Sequence, residues 1–401
     1  MDLEQEEFST SDPSVAVGMW AIDDDYLTVT MLAAGVAQLV ERQQHVASGG
    51  HSDDALLPGA WRVAFARLWW RYHAQGVPCP TSDLEVLALC NRPFRAWPVA
   101  LELAESDLDS ALLENGDLSA FAAQGARLAR VDVEAEWVEQ RVHRALRTAA
   151  SANGNNDVEV EQAYAYLRRY LIDHAVISDL QVQSLEQWYP EKGSNEQTYV
   201  RQLVAEAYHA RPASGSQTIL LCPGCRNALT QPSDTCGTAG CAGGEPERTV
   251  LRALAVIHEQ HRATRMFIHD PGLVEARIID ALNSKQLHDK VRVTAYPRVD
   301  LLDVLIEFLT PAPDGTLTVV ESWGVDAKDQ QSASLLGRGF SWPAQMDCKR
   351  RLLALPMHRA SQPAYMSDLV AELDGRVRGV EVIDEKRLIA DVCKRAERFS
   401  R

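Results

Sequence analysis

The amino-acid sequence predicts an α+β protein in three parts: a helical N-terminal region, a small ribbon built on four cysteines, and a C-terminal α/β core with a central mixed sheet. Three observations predict it. Apolar residues recur three and four positions apart over much of 1–150, and four of the eight cysteines fall within one short stretch. Beyond them, helix-like runs lead into consecutive strand-like runs, the order expected of a mixed sheet with helices packed on it.

A chain of 401 residues has room for two or three domains with separate cores. With 46% hydrophobic and 24% charged residues it has the composition of a protein that folds throughout. The opening MDLEQEEFSTSDP is acidic and lacks the basic and apolar regions of a secretory signal, and no apolar run reaches a membrane-spanning length, so the expected location is cytoplasmic. In that compartment cysteines are thiols or metal ligands rather than a disulfide framework. The dispersed Cys79, Cys90, Cys348 and Cys393 read as small core residues.

The net charge of −16 opposes nucleic-acid binding, but it is unevenly spread. Through residue 210 there are 15 Lys+Arg against 32 Asp+Glu, a balance of −17, and the remainder holds 25 against 24, a balance of +1. The C-terminal half is therefore not repelled by DNA, and the acidic half suits a protein partner.

Residues 1–150 read as a helical N-terminal domain. Trp61–His73 and Asp132–His143 carry helical spacing, and prolines at Gly76–Pro80 and Arg92–Pro98 interrupt it. A helical connector follows over 151–215, opening on the turn-rich Ser151–Asp157, with helices expected around 158–189 and 195–210. Trp69, Trp70, Tyr72, Tyr164, Tyr166 and Tyr170 have the spacing of core residues rather than of a base-stacking surface. The ribbon occupies 216–248, introduced by a strand at Thr218–Leu221. The last domain, 249–401, reads as helix, helix, then strands at 291–296, 302–310 and 316–328.

Cys222-Pro-Gly-Cys225 places two thiols on a tight turn, and Cys236-Gly-Thr-Ala-Gly-Cys241 supplies a second, wider knuckle. Four thiolates complete a tetrahedral site suited to structural Zn2+, with no open position for chemistry; an iron–sulfur cluster uses the same ligands. His258, His261 and His269 read as ordinary histidines rather than a second metal site.

The strand Thr316–Lys328 ends in Asp326-Ala-Lys328, and alternation puts Asp326 and Lys328 on one side of the sheet. Upstream, Leu302–Phe308 forms a strand with Asp303 at its start, and the helix-like Pro271–Leu282 carries Glu275. Two carboxylates on neighbouring strands suit Mg2+, a hard cation that prefers oxygen, and a nearby lysine is placed to orient or deprotonate water. Asp347-Cys-Lys349 and Asp384-Glu-Lys386 repeat the spacing, but Asp347 falls in a helix-like stretch and Asp384 lacks a preceding Asp-bearing strand. The plainer alternative is a salt-bridged strand edge. Asp300 competes with Asp303 for the first position; the alternating Val304, Ile306 and Phe308, which anchor the strand behind Asp303, favour the latter.

Glu275, Asp303 and Asp326-Ala-Lys328 in this order resemble the PD-(D/E)xK restriction-endonuclease superfamily. Ala295–Glu307 with Trp323–Asp329 is also similar to the nucleases encoded beside prokaryotic PIWI-type proteins in anti-phage islands. The resemblance covers roughly 250–401. It implies a restriction-endonuclease-like core and a metal-dependent DNA endonuclease that leaves 3′-hydroxyl and 5′-phosphate ends. Asp303 and Asp326 would hold Mg2+ or Mn2+, Lys328 would position water, and Glu275 would assist. The partner it implies is a PIWI-type protein or a helicase. Asp326 stands where Glu is more usual, and no proline directly precedes Asp303. The competing function is a non-catalytic adaptor that binds DNA or protein through a ribbon and a nuclease-like fold. A transcription-factor-like role lacks a basic recognition helix beside the ribbon.

Overall fold

The computed structural model describes residues 24–47, 57–129, 133–193, 196–212, 217–229, 236, 238, 240, 241, 247–251, 256–285, 287, 289–312, 316–374 and 376–398. Residues 1–23 of the predicted helical domain, the acidic N-terminus among them, and the ribbon spacer at 230–235 lie outside them. The chain divides into two compact units, Met1–Asp132 and Val133–Arg401.

The first unit holds α1 (Asp25–Ala47), α2 (Gly59–Ala74), α3 (Asp83–Cys90), a two-residue hairpin of β1 (Leu113–Glu114) and β2 (Asp117–Leu118), and α4 (Ala120–Leu128). Ser82 and Ser119 cap α3 and α4 by accepting from the amides of Glu85 and Ala122. One stripe of α2, running through Ala60, Trp61, Ala64, Leu68 and Tyr72, is buried. The aromatic residues predicted for the core divide accordingly: Tyr72 and Tyr164 are fully buried, whereas Trp69, Trp70 and Tyr166 are exposed. Trp69 and Trp70 directly follow the buried Leu68, and a step of about 100° per residue carries them off the apolar stripe.

The second unit opens with α5 (Val133–Asn153) and α6 (Asp157–Asp173), the latter capped by Asn156. The continuous helix predicted over 158–189 is broken. Val176–Ser178 forms β3, and Ser178 with Gln181 builds a capping box that starts α7 (Asp179–Trp188). After α8 (Tyr199–Ala207) comes β4 (Tyr208–Pro212).

β5 (Gln217–Leu221), β6 (Ala228–Leu229) and β7 (Glu247–Leu251) form the ribbon's antiparallel sheet in the order β6-β5-β7. The helix predicted from about residue 250 is instead β7 followed by β8 (Val256–Gln260), which lies between β3 and β4. Its backbone groups are paired on both sides, and that satisfaction outweighs local helix preference.

A single π-helical turn, Arg265–His269, leads into α9 (Asp270–Ser284), with Pro271 in its first turn. A Cβ on Gly272 would sit 2.5 Å from Ile172 Cδ1, so α9 and α6 approach closely here. There follow β9 (Val291–Ala295), β10 (Val304–Pro311), β11 (Leu317–Ala327), α10 (Ala333–Gly339), β12 (Arg350–Leu355), α11 (Tyr365–Leu373), β13 (Val380–Asp384) and α12 (Glu385–Arg398). These strands make a five-stranded mixed sheet, β13-β12-β11-β10-β9. β9, β10 and β11 pair antiparallel, whereas β11, β12 and β13 pair parallel through helical crossovers. Asp347, read as helical, lies in the irregular segment before β12, and Asp384 ends β13.

The alternation in β10 is buried as predicted: Val304, Ile306 and Phe308 are inaccessible, and Phe308 meets Trp323 edge-on with ring centroids 4.8 Å apart. Phe308→Ala should cost about 3–5 kcal/mol by urea denaturation, the range for emptying a buried aromatic site. An unchanged urea midpoint would contradict this packing. Of the dispersed cysteines, Cys90 and Cys348 are buried, and Cys79 and Cys393 only partly so. Among the described residues no helix is long and apolar enough to cross a membrane.

Candidate metal centres of the ribbon and the sheet

The ribbon brings its four predicted ligands together. The sulfurs of Cys222, Cys225, Cys236 and Cys241 all lie within 4.8 Å of one another, with Cys222 and Cys241 3.4 Å apart and Cys225 and Cys236 3.3 Å apart. Each knuckle is closed by local backbone. The Arg226 amide donates to the Cys222 carbonyl at 2.8 Å, and Cys241 N donates to the Thr238 carbonyl at 3.1 Å. Arg226 and Gly240 adopt positive φ, 61° and 67°. Burial raises the Cys222 thiol, but the amides of Cys225 and Gly224 together with the thiols of Cys241 and Cys236 outweigh it and carry the pKa down to about 7, while burial pushes Cys225 up. Four convergent sulfurs, with amides already favouring thiolate at one of them, are a donor set able to hold a metal such as zinc.

The ribbon meets the sheet domain through Asn227 and Gly240, among other residues. Asn227 Nδ2 donates to Asp270 at the start of α9 at 3.0 Å, and a Cβ on Gly240 would fall 2.0 Å from His358 Nδ1. His358 Nε2 is 3.1 Å from Asp329 Oδ1, which also accepts from Arg359 Nε at 2.8 Å. Burial opposes ionisation of Asp329, yet His358 and Arg359 hold its carboxyl below the usual range. Asp329 directly follows Lys328, so His358 and Arg359 anchor the end of β11.

The second cluster sits where β10 begins and β11 ends, at the carboxyl edge of the parallel part of the sheet, the usual ligand edge of such sheets. Val304 pairs with Val325, so one step outward Asp303 lies opposite Asp326. Asp303 Oδ2 accepts from the Ala327 amide at 2.6 Å and lies 3.7 Å from Lys328 Nζ, which also forms an ion pair with Asp326 Oδ1. Burial is the main force on Asp326; Lys328 opposes it, Asp303 reinforces it, and the pKa rises to about 7. Burial works against the charge of Lys328, but Asp303 and Asp326 more than offset this and hold its pKa above the ordinary value. Two crowded carboxylates, one of them reluctant to ionise without more positive charge, make an oxygen donor set suited to a hard divalent cation.

Glu275, 2% exposed, projects from α9 beside this pair. Burial raises its pKa to about 7; Arg168 pulls against the rise, and Asp303 and Asp300 add to it. The structure places Asp303, not Asp300, with Asp326 and Lys328. Asp300 instead accepts from Arg168 Nη1 at 3.1 Å. Arg168 was not singled out from sequence. It stands in an ordinary amphipathic helix and meets Glu275 only across the tertiary fold.

The three histidines have separate surroundings. His258 pairs with Asp179 at 2.9 Å, His269 is buried, and His261 lies against His209 with ring centroids 3.4 Å apart. Burial, then the neighbouring His209, lowers the pKa of His261 to about 4. A depressed folded-state pKa favours the neutral ring, so its contribution is present above the unfolded value of about 6.5 and is lost as pH falls from there toward 4. The melting temperature should drop between pH 7 and pH 5 for the wild type and drop less for His261→Gln; equal slopes would refute the assignment.

Residues 272–400 match the model of the family described as "REase associating with pPIWI_RE". No curated protein and no solved structure matches the chain.

Proposed function

From the premise that the C-terminal segment is a restriction-endonuclease-like domain linked to pPIWI systems, we propose that this chain is a metal-dependent DNA endonuclease acting with a PIWI-type partner in restriction or defence against foreign DNA. The observation that carries the proposal is the convergence of Asp303, Asp326 and Lys328 at one sheet edge, with Glu275 beside them.

In this reading Asp303 and Asp326 would hold Mg2+ or Mn2+ through their oxygens. Such a cation, when bound, supplies positive charge beside the phosphate at which negative charge develops. The Ala327 amide fixes the rotamer of Asp303, so that carboxylate is ready before any ligand arrives. Lys328 lies between the two carboxylates, where its ammonium group is placed to orient water or phosphate. Glu275 is the assisting carboxylate. The four-cysteine centre takes no part in bond breaking; Zn2+ there would hold the ribbon against α9 and the end of β11.

The test is incubation of supercoiled plasmid with the zinc-loaded full chain and Mg2+ or Mn2+, alone and with a PIWI-type protein. Divalent-metal-dependent nicking or linearisation supports the proposal. Stable DNA or partner binding with no cleavage under any of these conditions supports a non-catalytic adaptor and defeats it.

A further inference from the structure

We propose that Arg168 is a positioning residue of the nuclease site: its guanidinium fixes Glu275 and the turn that ends at Asp303. This rests on the nuclease reading above. It goes beyond the matched segment, because α6 precedes residue 272.

Arg168 is 6% exposed and Glu275 is 2% exposed. Nη2 of Arg168 donates to both oxygens of Glu275, at 3.1 and 3.2 Å, while Nη1 turns to Asp300 Oδ2 at 3.1 Å. The ring of Tyr296 packs against the guanidinium, 4.8 Å from its carbon. One planar group thus holds a carboxylate from α9 and another from the β9–β10 turn at a defined separation. A lysine, a point charge on a flexible stem, cannot hold both in that geometry.

The turn needs such a clamp. Tyr296 and, after Pro297, the consecutive Arg298, Val299 and Asp300 have φ of 50°, 53°, 57° and 78°, left-handed positions without a glycine, and Val299 is β-branched. Such residues hold this conformation only where surrounding contacts over-determine it. α6 supplies two of those contacts from one face. Glu161 accepts from the Arg298 amide at 2.9 Å, and Arg168, two turns on, takes Asp300. The turn in turn holds the site, because the Tyr296 amide donates to the Asp303 carbonyl at 2.9 Å. The path therefore runs from Arg168 through Asp300 and Glu275 to the carboxylates opposite Lys328.

The experiment is Mn2+ titration of the full chain, followed by electron paramagnetic resonance and in parallel by plasmid cleavage, for wild type, Arg168→Lys and Arg168→Met. Melting curves confirm that each is folded at the assay temperature. A fall in Mn2+ affinity of roughly 10- to 100-fold in Arg168→Lys, with KM for DNA unchanged and cleavage recovering at high Mn2+, is the expected result. Arg168→Met should fall further. Where Arg168→Met does not fold, Arg168→Lys decides alone. A folded Arg168→Lys chain with wild-type Mn2+ affinity and cleavage overturns the role of Arg168 and leaves the nuclease reading standing. Wild type that neither binds Mn2+ nor cuts overturns both.

Discussion

Asp326→Ala should lose DNA cleavage by at least about 10³-fold, together with most Mn2+ binding, because metal charge stabilisation amounts to several kcal/mol and each 1.36 kcal/mol is a factor of ten. Lys328→Ala should separate the two effects. Removing the cation from between Asp303 and Asp326 leaves two crowded carboxylates whose repulsion a divalent ion relieves, so metal affinity is retained or increased while cleavage falls. Asp300→Asn supplies the control for ligand identity. Asp300 faces Arg168, so the variant should keep far more activity than Asp303→Asn. A loss in Asp300→Asn equal to that in Asp303→Asn and not recovered at high Mn2+, as a positioning defect would be, would mean that the metal is held differently. Retention of full cleavage by Asp326→Ala would remove the active site from this sheet edge altogether.

Cys225→Ser should release one equivalent of zinc and open the ribbon. Structural zinc contributes on the order of 10 kcal/mol to small metal-dependent folds. The ribbon's Ile219 and Leu221 are buried against Val176 of β3 and Ile257 of β8. Limited proteolysis should then cut within 217–251 while the five-stranded sheet resists, with metal content read by mass spectrometry. Iron and visible absorbance in place of zinc would identify a cluster on the same ligands. Full metal content and unchanged protease resistance in Cys225→Ser would show that the four sulfurs do not form a metal centre.

Part of this was legible along the chain because its signals are local. Cysteine spacing announces a four-thiol knuckle pair, since each Cys-turn-Cys is set by a few backbone dihedrals. Period-two alternation in Val304, Ile306 and Phe308 announces a buried strand, and with Asp326 and Lys328 two positions apart it specifies which side chains share a face. The alternatives to be weighed were also visible: Asp300 or Asp303, core or surface for the aromatics.

Tertiary structure alone decided which alternative held. Asp303 rather than Asp300 reaches Lys328 because the β10–β11 register and a left-handed turn place it there, and neither is encoded within a few neighbouring residues. The segment 256–260 became a strand because β3 and β4, distant in sequence, offered partners on both sides. Trp69 and Trp70 stayed exposed because helical spacing says that a stripe exists but not how wide a face the neighbours cover. Arg168 gave no signal at all, for the carboxylates that make its position meaningful lie more than a hundred residues away and are brought to it only by packing α9 on α6. Local chemistry can be read wherever the interacting groups are near in sequence. Where burial, register and charge pairing join distant segments, only the folded chain determines which groups meet.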